Sequence, residues 1–92
     1  MSVVTRDDIV QELLGYIEEV ARPLEERDTQ NGWSSVYQNK AITMMTNIVE
    51  LLRSGKPPPS ASIVRTMDSW GVEGRLFDKA CAISHHLHTM ND

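Results

Sequence analysis

The sequence predicts an all-α fold, a four-helix bundle or orthogonal helical array whose third helix is short. Three observations carry that prediction. Apolar residues recur at helical spacing in four separate segments. Each segment opens on a capping residue or closes at glycine or proline. No segment alternates apolar and polar residues with the period of two that marks a strand.

The first helix follows Thr5-Arg6-Asp7-Asp8, where Thr5 can cap and Asp8, three residues on, can reach back to close a capping box. Ile9, Val10, Leu13, Leu14, Ile17 and Val20 then form one broad stripe, with Gln11, Glu18 and Arg22 opposite. Pro23 ends or kinks this helix, because it lacks an amide hydrogen and crowds the preceding turn. Glu25 to Gly32 reads as a polar connection closed by an Asn31-Gly32 turn.

The second helix is expected from Trp33 or Ser34 to Arg53, with a stripe of Trp33, Tyr37, Ala41, Met44, Met45, Ile48, Leu51 and Leu52. Gly55 stands where a left-handed C-terminal cap belongs, and Arg53 complements the helix dipole. Residues 56–59, Lys56-Pro57-Pro58-Pro59, read as a rigid connector, since successive prolines hold an extended chain. Ser60 or Ser62 is the expected cap of the short third helix, which carries Ile63, Val64, Met67 and Trp70 and closes at Gly71. The fourth helix, about Glu73 to Met90, aligns Leu76, Ala80, Ile83, Leu87 and Met90 on one narrow face.

Composition narrows the class. With 92 residues the chain is one small domain, and 40% hydrophobic with 24% charged residues describes a globular rather than a disordered chain. Its formal charge of −4 argues against a general binder of phosphate backbones. Cys81 is the only cysteine, so no internal disulfide can form and a cytoplasmic home is expected. No apolar run approaches the ~18 residues a membrane span requires, and MSVVTRDD lacks the pattern of a secretory leader.

The densest chemistry is residues 81–88, CAISHHLH, which hold the cysteine and all three histidines. At about 100° per residue, Cys81, His85 and His88 share one side of the last helix, roughly 120–180° from its core line. A thiolate and two imidazoles suit zinc, with Asp92 or a second chain completing the set. The plainer reading is a solvated or partner-facing side, because no CxxC pair or HExxH pattern is present. The expectation is therefore no metal and no cofactor, with Cys81, His85 and His88 as the candidates if one exists. Three imidazoles can also gain charge between pH 5 and 7 and so alter association. Catalysis is not expected: Cys81 with His85 is the one nucleophile–base pair, and neighbours on an exposed helix provide neither pocket nor oxyanion site.

Contact with another protein is the expected activity. Val36, Ile42, Val49 and Phe77 lie outside the main stripes, and a chain this short has few inner layers to hide them. They are the expected partner-binding residues, on an apolar strip rimmed by Glu and Asp, with a homodimer as the simplest assembly. The alternative is a helix-turn-helix transcriptional regulator, built from the third helix, Gly71 and the fourth helix, with Arg75 and Lys79 towards DNA. Glu73 and Asp78 beside those cations weigh against it.

From Ile48 the run IVELLRSGK, then SASI, then a terminal amphipathic helix resembles the small bacterial biofilm and acid-resistance regulators, the two-component connector proteins. Pro57-Pro58-Pro59, Trp70 and CAISHHLH depart from that pattern. The resemblance covers about half the chain and carries over no functional residue. It implies a helical dimer that modulates a signalling protein.

Overall fold

The computed structural model describes residues 5–56 and 63–89. It is all-α: α1 (Arg6–Val20), α2 (Glu26–Gln30), α3 (Ser35–Arg53), α4 (Ile63–Trp70) and α5 (Arg75–Thr89). The described residues thus hold five helices rather than four. The Pro57–Pro59 connector and the Ser60 or Ser62 cap lie outside the described residues, as do Met90 and Asp92.

The caps form where the local sequence places them. The Thr5 hydroxyl accepts from the Asp8 amide, and the Asp8 carboxylate accepts from the Thr5 amide, completing the box. Ser34 caps α3 by accepting from the Tyr37 amide. Trp33 therefore stands just outside the helix, buried, with its indole Nε1 donating to the Glu73 carbonyl at 3.0 Å. At the other end of α3, Gly55 has φ +75°, its amide donates to Leu52 O, and the Lys56 amide donates to Leu51 O. That pair of bonds is a Schellman cap, which needs a residue free of the left-handed penalty.

α2 is the element that helical periodicity missed. Five residues are too few to be stable alone. Asp28 supplies what is lacking, accepting from the Glu25 amide at 3.0 Å and from Arg75 on α5, while only 2% exposed.

α1 and α3 run antiparallel, and each end is closed by the other helix. Arg6 at the start of α1 donates to the Leu52 and Lys56 carbonyls at the end of α3. Gln38 at the start of α3 donates to the Val20 and Arg22 carbonyls at the end of α1. Side chains thereby reach carbonyls at the end of each of the two helices, where the backbone ladder runs out. α5 runs antiparallel along another side of α1, and α4 packs on α5. The core uses Ile9, Leu13 and Val20 of α1, Met45, Ile48 and Leu52 of α3, Met67 of α4, and Leu76 and Ile83 of α5.

Candidate functional site: the groove between α3 and α4

The α1–α5 seam is tied by polar contacts along its length. The Tyr16 hydroxyl donates to Leu76 O at 2.8 Å, and burial pushes its pKa up, so it stays a donor. Arg75 binds Asp28 through both Nε and Nη2 and Glu19 through Nη1; Lys79 also binds Glu19. Lys79 holds the Glu19 carboxyl below its ordinary range, and Arg75 does the same for Asp28. His86 Nδ1 lies 2.7 Å from Glu12 Oε2 one turn further on. This seam also bears on the helix-turn-helix alternative, because Arg75 and Lys79, its two expected DNA-facing cations, are both engaged by carboxylates.

The α3–α4 side is built differently. These two helices do not pack closely on each other; they diverge around an open groove of about 600 Å³. Met44, Ile48 and Leu51 of α3 and Ile63 and Trp70 of α4 make its apolar floor. Asn39, Lys40, Thr43, Asn47 and Thr66 supply the rim. At one end the Trp70 ring stacks on Tyr37, centroids 5.4 Å apart and planes within 17°, and Lys40 Nζ sits 5.6 Å from the Tyr37 centroid. Among the described residues that line it, Lys40 is the charged one, and Glu50 flanks it by lining the adjoining cleft with Asn47 and Leu51.

The four expected contact residues divide. Val36 is 58% exposed and lies on the groove side of α3, one turn before Lys40. Ile42 and Phe77 are half-buried and pack against the core. Val49 is a correction: it is 4% exposed and belongs to the core. Gln38 and Val49 are eleven residues apart and so point within about 20° of each other. Gln38 reaches α1, so Val49 lies on the side of α3 that α1 covers. The adjacent methionines also divide, Met45 into the core and Met44 into the groove.

Cys81, His85 and His88 share one side of α5, as their spacing requires, but among the described residues no three His, Cys, Asp or Glu side chains converge as metal ligands would. Burial, with the Asp78 charge adding to it, raises the Cys81 pKa, which favours the thiol over the nucleophilic or metal-binding thiolate. No described helix is long and apolar enough to cross a membrane.

No family model, curated protein or solved structure matches this chain. The functional reading therefore rests on the groove. The sequence places Met44, Ile48 and Leu51, and likewise Ile63 and Trp70, on core stripes, and none of the four expected contact residues lines the cleft.

Proposed function

We propose that this chain is a small interaction module that regulates or inhibits another protein by stoichiometric contact, with the α3–α4 groove as the contact surface. The observation that carries the proposal is the groove's construction: an apolar floor between two helices that do not close on each other, edged by amides and hydroxyls. Its size falls in the range of binding clefts, and a helix offering apolar side chains at i, i+3 or i+4, and i+7 suits such a floor. The described lining residues offer contact chemistry: apolar side chains, amides, hydroxyls and the Lys40 ammonium. Glu50 stands beside the groove, and the net charge of −4 acts on the rate of encounter. A cytoplasmic location belongs to the same proposal, supported by the lone free thiol of Cys81. The connector-like pattern from Ile48 onward supports a regulator of signalling.

The test places a photoreactive residue at position 44, in the groove, or at position 18, on the exposed face of α1, in the cells that make the protein. One dominant protein adduct is expected from position 44, absent from position 18 and abolished by Leu51→Glu. Adducts from position 18 alone, or adducts indifferent to Leu51→Glu, would contradict the proposal. Retarded mobility of nonspecific DNA at low salt would favour the helix-turn-helix alternative instead.

A further inference from the structure

We infer that the groove takes an amphipathic helix of the partner protein, one that carries a carboxylate beside its end apolar anchor and sets it against Lys40. This deepens the reading of the groove as a contact surface and rests on it. The first observation is the distribution of charge along the chain. The run from Thr29 to Val49, which takes in α3 up to Val49, holds Lys40 as its only charged residue, although 24% of the chain is charged. The exposed side of α3 before Glu50 is therefore made of hydroxyls, amides and Val36 around one ammonium. Depletion of charge marks the centre of an interface, where ions would lose their water.

The second observation is Lys40 itself. Arg27, Arg75 and Lys79 are each held by carboxylates of this chain. Lys40 has no carboxylate partner among the described residues. Its ammonium lies 5.6 Å from the centroid of the Tyr37 ring, at the end of the groove where that ring stacks on Trp70. Glu50, towards the other end, shares the adjoining cleft with Lys56, so charges of both signs meet there. The unbalanced charge of the groove is the cation at the Trp70 end.

The third observation is spacing. Met44, Ile48 and Leu51 line the floor at i, i+4 and i+7, about 10 Å or two helical turns. A helix laid along them offers anchors at the same spacing. Lys40 continues that line one turn before Met44, so the residue one turn outside the end anchor of the bound helix comes to the ammonium. A carboxylate there gains a partner, whereas lysine or arginine meets like charge. The net charge of −4 repels an acidic segment at long range, so a preference for the carboxylate must come from Lys40 and runs against the overall field.

The experiment selects helical peptides from a randomised displayed library on the native protein. The consensus peptide and its Glu→Lys counterpart are then titrated at low salt against the native protein, Lys40→Glu and Arg22→Glu. Arg22 is exposed at the end of α1, so the two variants change net charge equally, and only Lys40 lies in the groove. We expect selected peptides with apolar residues at i, i+3 or i+4, and i+7 and with Asp or Glu flanking one end. The consensus should bind about threefold to tenfold more tightly than its lysine counterpart. Lys40→Glu should invert that preference and Arg22→Glu should leave it unchanged. Failure to select any peptide, peptides flanked by Lys or Arg, peptides without helical spacing, or a preference indifferent to Lys40→Glu would overturn the inference. The two readings fail separately. A groove-dependent adduct from position 44 alongside peptides indifferent to Lys40 removes only the acidic helix, whereas absence of that adduct removes the contact surface whatever the peptides show.

Discussion

The α1–α5 seam and the α3–α4 groove are both lines where two helices of one small core face each other, yet they are built by opposite rules. Along the seam, Glu12–His86, Tyr16–Leu76 and Glu19 with Arg75 and Lys79 tie the helices together at successive turns, and Asp28 of α2 adds a tie to Arg75. Along the groove, the Tyr37–Trp70 stack holds one end, and the remaining floor is apolar and open. Polar ties specify a unique docking and leave little for a partner to gain. An untied apolar cleft keeps its desolvation free energy available for binding. Stability concentrates where α1 meets α3 and α5, and the proposed contact surface lies between α3 and α4.

The largest expected effect tests that contrast with one kind of truncation on each side. Leu13→Ala, at a fully buried position of α1, should cost about 3–4 kcal/mol in denaturant unfolding, whereas Leu51→Ala in the half-open groove should cost less than about 1.5 kcal/mol. Equal costs would mean that the groove is part of the core.

Next comes the ion network. Asp28→Ala removes the buried anchor of α2 and should cost about 2–3 kcal/mol, below the range for a fully buried pair because Arg75 is a third exposed and keeps Glu19. The same network sets the response to acid. Asp28 and Glu19 have folded pKa values below their unfolded ones, so their contribution is fully present above the unfolded pKa of about 4 and is lost as the pH falls through the depressed folded values. Unfolding free energy carried by this pair should be level from pH 5 to 8 and fall below about pH 4. The fall should be shallower in Asp28→Asn.

Tyr16→Phe removes one buried hydrogen bond between α1 and α5 and should cost about 1 kcal/mol. Smallest of all, Val36→Glu should leave the unfolding free energy within about 0.5 kcal/mol while abolishing contact at the groove.

How much of this was legible in the sequence depends on how far apart the causes lie along the chain. The Thr5–Asp8 box, the Ser34 cap and the Gly55 terminus are local, and each formed where its neighbours dictate. α2 was not legible, because its five residues hold their place through Asp28 and Arg75, 47 positions apart. Val36 reads correctly as exposed because it lies well off the α3 stripe. Val49 does not, because α1 covers a flank of α3 that periodicity alone leaves open. The shared face of Cys81, His85 and His88 followed from helical geometry, while the Glu12 partner of His86 required knowing that α5 lies along α1. The groove needed both walls, and no pattern within α3 reports where α4 will stand.

The most direct measurement of the division between seam and groove is photocrosslinking in the cells that make the protein, from position 44 in the groove and from position 79 on the seam. A partner adduct is expected from position 44, weakened by Val36→Glu, with none from position 79. Adducts gathered at position 79 instead, or none from position 44, would contradict contact through the α3–α4 face.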